Sequence, residues 1–188
     1  MSTVLLGIGG GIAAYKLAFV ASRLVQAGHR VRVALSRSAA DFIGAATFEG
    51  LTGTKAILSS TQIDPDGNPP HIAATREAQV LLVAPATADL LGKLAAGVAD
   101  DPVCLAAIAC RCPRLLAPAM NDAMWESSAV RASLRRCEEL GFRIVGPVVG
   151  HLAEGYDAIG RMVEPEQLVA AIVGELAELT PAAKLRKR

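Results

Sequence analysis

A chain of 188 residues with a formal net charge of +1 is long enough for one domain with a sizeable core. Its charge is too evenly balanced to present a basic face to nucleic acid or to an anionic membrane. Hydrophobic residues make up 52% and aromatic residues only 4%, so that core has to be built from Ala, Val, Leu and Ile, the usual filling of an α/β layer protein. No run of about twenty uncharged apolar residues occurs, and the amino terminus enters a strand pattern without a cleavage signal, so a cytosolic protein is expected.

Residues 3–7 form a short β-rich run, followed by Gly7-Ile8-Gly9-Gly10-Gly11 and a helical pattern over 12–27 closed by Gly28. Strand, glycine-rich turn and helix is a layout that binds phosphate. Glycines let the backbone approach an anion, and the N–H groups of the helix start point at it. The motif is neither a Walker A loop nor a clean G-x-G-x-x-G, and a merely structural tight turn is the competing reading. A second strand over 30–35 ends at Ser36-Arg37-Ser38. These hydroxyls either join the same phosphate site or cap a helix.

Residues 47–60 hold a short helix and an edge segment, and 64–70 is a Pro/Gly/Asn/Asp loop. His71 follows at the loop-to-helix junction, placed either for proton transfer or as a polar surface residue. His29 and His151 have weaker cases. A continuous apolar strand over 80–84 runs into Pro85-Ala86-Thr87-Ala88-Asp89-Leu90 and a helix that ends near Gly97; another apolar helix spans 103–109. A buried strand over 115–117 then meets Pro118-Ala119-Met120-Asn121-Asp122-Ala123-Met124-Trp125. At such a strand end the Asn121 amide could hold a carboxylate, with Met120, Met124 and Trp125 as an apolar wall; alternatively the Met and Trp side chains only plug the core. A helix over 129–140, a strand over 142–145, a glycine-spaced connection over 150–162 and a helix over 164–179 complete the pattern. The connection reads as a mobile flap or a plain surface loop. The basic end, 181–188, reads as a solvated tail.

Four strand ends with polar or glycine-rich turns predict a single-domain, doubly wound, Rossmann-like or flavodoxin-like parallel sheet over 1–180, with helices on both faces. The four cysteines do not follow zinc spacing: Cys110-Arg111-Cys112 has no matched second pair, and reduced thiols without a metal are expected.

The ordered segments Gly11-Ile12-Ala13-Ala14-Tyr15-Lys16, Thr47-Phe48, His71-Ile72, 85–89, 118–125 and Gly160-Arg161-Met162 resemble those of the homo-oligomeric flavin-containing cysteine decarboxylases. That family includes phosphopantothenoylcysteine decarboxylase and the peptidyl-cysteine decarboxylases. The resemblance implies FMN as cofactor, with Gly10, Gly11 and Ser36 at its phosphate and Ala86, Thr87, Ala88 and Asp89 along the flavin. It implies His71 as the active-site histidine, Asn121 on the substrate carboxylate, and Met120, Trp125 and Glu154 around the substrate. It also implies a trimer, or a dodecamer built of trimers, with FMN at the subunit interface, so that one chain makes only part of a site. The implied reaction is oxidation of a cysteine side chain by flavin to a thioaldehyde-like species, whose C=S accepts the electrons released as CO₂ leaves, giving an enethiol.

Two departures stand out. Phosphopantothenoylcysteine decarboxylases carry a clamp cysteine that helps reduce the enethiol, whereas this chain has Leu152-Ala153-Glu154-Gly155 there. Asp89 also stands where the family has Asn, which puts the hydrogen bonding at the flavin edge in doubt. Loss of the clamp thiol favours a reaction that stops at the enethiol, on a C-terminal peptidyl cysteine. Phosphopantothenoylcysteine decarboxylation is the alternative within the enzyme class, and a non-catalytic flavin-binding regulatory subunit is the alternative outside it.

Overall fold

Alternation of apolar side chains along short runs builds the centre of the molecule. In β1 (Thr3–Ile8), Val4, Leu6 and Ile8 face one layer of helices and Leu5 faces the other. The same two-sided burial continues in β2 (Arg30–Leu35), β3 (Val80–Ala86) and β4 (Arg114–Pro118), with β3 buried along its whole length. With β5 (Phe142–Ile144) they form a five-stranded sheet in the order β2-β1-β3-β4-β5, every pair parallel. This is the flavodoxin-like order, in which the direction of winding reverses between β1 and β3. The computed structural model describes residues 1–65 and 67–185; residues 66 and 186–188, parts of the expected loop and basic tail, lie outside the described residues.

One face is covered by α1 (Lys16–Gln26), α2 (Ala45–Thr52) and α8 (Pro165–Leu185), which insert Leu17, Val20, Leu24, Phe48, Leu168 and Ile172. The other is covered by α3 (Pro70–Glu77), α4 (Ala88–Ala96), α5 (Pro102–Ala109) and α7 (Ser128–Glu139) through residues such as Ala74, Leu91, Val103 and Leu134. Each fully buried leucine contributes roughly 2 kcal/mol by leaving water. Helix starts are fixed by side-chain caps at Thr87, Asp101 and Ser127. Asp101 accepts from Val103 N at 2.8 Å and from Arg37 N at 2.9 Å, tying the start of α5 to the end of β2.

Several elements differ from the sequence pattern. The helix expected over 12–27 opens as a 3-10 turn, Ile12–Tyr15, because Ala14 N bonds back to Gly11 O at 2.9 Å before the α ladder begins at Lys16. In the 47–60 segment the helix is α2, and the edge is reduced to a single bridge between Ala34 and Ile57. The last helix runs beyond its expected end at residue 179, to Leu185, taking in part of the stretch read as a tail. Most consequentially, the glycine-spaced connection is an antiparallel ribbon, β6 (Val148–His151) paired with β7 (Asp157–Arg161). Val148, Val149 and Ile159 favour extended backbone, while Gly155 at φ +91° supplies the turn. Among the described residues no helix is long and apolar enough to cross a membrane.

Candidate active site at the strand ends

Because the strands are parallel, the ends of β1, β3 and β4 open on one edge of the sheet, and a cavity of about 510 Å³ lies there. Such a volume suits a small molecule or cofactor. Its floor is the turn after β1: Gly10, Gly11, Ile12 and Ala13 line it directly. Two glycines of this turn are dictated by packing. A Cβ at Gly9 would collide with the Pro85 carbonyl, and one at Gly10 with the Ser38 side chain. No acidic residue sits in the first turn, so no carboxylate of that turn competes for its N–H groups. Thr87 and Ala88 line a second side; Thr87 Oγ1 also caps α4, accepting from Leu90 N at 3.4 Å.

Asn121 lines the third side, held as the N-cap of α6 (Asp122–Glu126) by Ala123 N donating to its Oδ1 at 2.9 Å. Its Nδ2 donates to Glu154 Oε1 and to the Tyr156 hydroxyl, both at 3.1 Å, and Tyr156 donates onward to Asp122 Oδ1 at 2.7 Å. The Asp122 carboxylate pushes the Tyr156 phenol pKa up, with the Asn121 amide opposing it. The β6–β7 ribbon covers the cavity and is stitched to the end of β4 by Met120 N donating to Gly160 O at 3.1 Å. Gly160, at φ +129°, has to be glycine because a Cβ would collide with Met120 O. Lys16 is buried in the wall, its Nζ 3.0 Å from Glu164 Oε2; that contact holds the Glu164 carboxyl below its usual range.

The structure thus brings together Gly10, Gly11, Thr87, Ala88, Met120, Asn121 and Glu154 in one cavity, along with Met124. Ser36, Ala86, Asp89, Trp125 and His71 do not line it within this chain. Ser36 is buried as a cap, its Oγ accepting from Ala39 N at 3.1 Å, and Ser38 is the hydroxyl that abuts Gly10. Ala86 lies under the floor, fully buried. Asp89 points to solvent and pairs with Lys93 at 3.3 Å. Trp125 turns away from Met124, since consecutive residues of a helix project about 100° apart. Its ring takes the Arg131 guanidinium at 5.0 Å instead, so the expected apolar wall is Met120 and Met124 without it. His71 is 7% exposed at the start of α3, its Nδ1 is sequestered without a hydrogen-bond partner, and burial pushes its pKa down.

Sequence reasoning passes over Tyr156 and Asp122, and ranks His151 low. His151 lines the cavity with Asp157 3.1 Å from its Nδ1. Tyr156 and Asp122 are far apart in the chain and only the ribbon's fold joins them, so local patterning holds no signal. Away from the cavity, Cys110 and Cys112 place their sulfurs 3.0 Å apart. Among the described residues no group of three or more His, Cys, Asp or Glu is placed to hold a metal ion.

The sequence matches the Flavoprotein family over residues 1–177. This chain belongs to that family. It is 40% identical over 165 residues to the coenzyme A biosynthesis bifunctional protein CoaBC of Mycobacterium tuberculosis H37Rv, covering 88% of this chain and 39% of that protein. With the Bacillus subtilis CoaBC it shares 38% identity over 179 residues, covering 95% of this chain and 44% of the relative. The chain therefore spans about two fifths of the length of these curated relatives. Among solved structures, the FMN-dependent cysteine decarboxylase SpaF superposes with TM-score 0.79 at 27% identity, covering 94% of this flavoprotein and 98% of SpaF. A cysteine-to-serine mutant of PPC decarboxylase, complexed with pantothenoylaminoethenethiol, gives TM-score 0.82 at 27% identity over 91% of this chain and 96% of that one.

Proposed function

We propose that this flavoprotein binds FMN in the strand-end cavity and catalyses oxidative decarboxylation of a cysteine carboxylate to an enethiol, with a peptide ending in cysteine as substrate. The observation that carries the reading is the Asn121 amide, held rigidly at a helix N-cap and aimed into the same cavity as the glycine turn. The residues fit the cofactor: Gly10 and Gly11 line the cavity without side chains, the backbone N–H groups at the start of the 3-10 turn are donors for a phosphate, and Thr87 and Ala88 supply a mostly apolar side for a ring. When bound, FMN supplies a two-electron acceptor.

The chain's own residues have three tasks. Asn121 orients the carboxylate that is lost as CO₂, while Met120, Met124 and Leu152 keep water from it and so favour release of a neutral molecule. Overall one hydride equivalent, two electrons and one proton, leaves the substrate carboxylate with the CO₂. His71, whose pKa burial pushes down, accepts a proton. It does so from a neighbouring copy of the chain, because within its own chain it stands away from the cavity. Support for this comes from Ile12, Tyr15 and Phe19, which are 64%, 54% and 60% exposed in a stripe that starts at the cavity's edge. An apolar stripe of that kind suits burial against a second copy in a trimer or an assembly of trimers, with FMN between subunits.

Glu154 in the clamp favours the enethiol as the final product. The resemblance to CoaBC proteins favours a second reading, phosphopantothenoylcysteine as substrate. Incubating the flavin-loaded protein with peptides ending in cysteine should lower their mass by CO₂ and two hydrogens. Unchanged peptides, together with turnover of phosphopantothenoylcysteine, would establish the second reading instead.

A further inference from the structure

The Asn121 side chain has no N–H donor left for a ligand. A primary amide offers two N–H hydrogens and one carbonyl. Here Oδ1 accepts from Ala123 N, one Nδ2 hydrogen goes to Tyr156 and the other to Glu154. The Tyr156 contact is locked from behind, because its hydroxyl gives its own hydrogen to Asp122. The hydrogen bond to Glu154 is the replaceable one: Glu154 is exposed, on the turn between β6 and β7, and its carboxylate has the chemistry of the group that Asn121 would hold in a substrate.

We infer that Glu154 is a specificity-determining residue that competes with the substrate carboxylate for the Asn121 amide. This rests on the assignment of Asn121 as the carboxylate-holding group. Two carboxylates cannot share one N–H donor without strong repulsion, so binding requires Glu154 to leave. The basic side chains that line the cavity are already paired. Lys16 and Arg161 both pair with Glu164, at 3.0 and 2.5 Å, and His151 pairs with Asp157 at 3.1 Å. The displaced carboxylate goes to water and carries its turn with it. That turn is closed by Leu152 N to Tyr156 O at 2.9 Å and Gly155 N to Leu152 O at 3.1 Å. A ligand without a carboxylate at the right place makes no claim on the Asn121 donor and leaves Glu154 seated; a carboxylate ligand displaces it at a cost in affinity.

The test uses the FMN-loaded protein and a peptide ending in serine, which carries the carboxylate but no thiol to react, with its C-terminal amide as control. Binding is measured by calorimetry for wild type, Glu154→Gln and Glu154→Ala. Removing the competitor should tighten binding of the carboxylate peptide roughly three- to tenfold in Glu154→Ala. Glu154→Gln, whose amide oxygen is a neutral acceptor, should fall between, and the amide peptide should be insensitive to both changes. Equal or weaker carboxylate binding in Glu154→Ala would overturn the inference and make Glu154 an ordinary substrate contact. Hydrogen exchange at the Leu152 and Gly155 amides of the same protein without peptide gives a readout independent of substrate: it should quicken in Glu154→Ala, and an unchanged rate overturns the inference. Quickened exchange with no peptide bound by any variant leaves the competition standing and removes the peptide-substrate reading.

Discussion

At the scale of single residues, Asn121 does two jobs that one substitution can separate. Its Oδ1 caps α6 while its Nδ2 supplies the donors in the cavity. Aspartate caps helices as well as asparagine does but offers only acceptors when ionised. Asn121→Asp should therefore leave the thermal midpoint within a few degrees of wild type and keep FMN bound, yet place a third carboxylate beside Glu154 and Asp122. Decarboxylation should fall by at least about a hundredfold, the scale on which loss of a positioning or charge-stabilising donor is felt; mass spectrometry of the product reads it. His71 carries a separate prediction. Its folded pKa lies below the usual histidine value because burial disfavours the charged ring. The unfolded chain then binds more protons in the window between the folded value and about 6.5, so stability should decline as pH falls through that window. His71→Asn should flatten the decline in the urea midpoint between about pH 7.5 and pH 5.5. The same variant should retain FMN and lose decarboxylation; retained activity would favour the reading of a binding subunit.

Among elements, the ribbon shows where local sequence stops being informative. The parallel strands are legible because β1, β3 and β4 are short apolar runs bounded by turn residues, and nothing else in a half-buried layer protein reads that way. The glycine turn after β1, Thr87 at a helix start and Asn121 after Pro118 are legible for the same reason, since each follows such a run closely. The ribbon reads as a flap because its glycines look like flexibility. Two of them answer to packing instead: Gly150 leaves room for the Arg161 side chain, whose Cδ would be 2.7 Å from a Cβ, and Gly160 lets β7 lie against Met120. Trp125 and Asp89 cannot be assigned a side from sequence, since a one-residue step on a helix changes the face. The identity of the cofactor and the role of His71 come from resemblance, not from periodicity. Gly160→Ala tests the packing argument. It combines a steric collision with a backbone conformation that L-residues rarely adopt, so a loss of at least about 2 kcal/mol in folding stability is expected. Hydrogen exchange should show the ribbon loosening before the five-stranded sheet does; a sheet that loosens equally would mean the ribbon belongs to the same cooperative unit.

For the whole molecule, the decisive fact is that the cavity and the buried histidine belong to the same chain but not to the same place in it. His71 stands at the amino end of α3, which runs antiparallel to β3 and so starts near the strand-end edge, on the face that also carries α5. The stripe of Ile12, Tyr15 and Phe19 begins at the cavity in the 3-10 turn and continues onto α1, in the opposite layer. A cyclic arrangement can seat the α3 edge of one copy against the α1 stripe of the next, and a head-to-tail contact of this kind gives a ring when the rotation between copies closes. Replacing Phe19 by aspartate puts a charge into the middle of that contact without touching the core, because the side chain is largely exposed in the single chain. Phe19→Asp should shift sedimentation toward the monomer and leave the circular dichroism of the fold unchanged. Activity should fall with the loss of oligomer. In the wild-type background at Phe19, mixing Asn121→Asp with His71→Asn subunits should restore part of the activity that each variant lacks alone, since one mixed interface would then combine an intact amide with an intact imidazole. Recovery on mixing is the outcome that a site confined to one chain could not give.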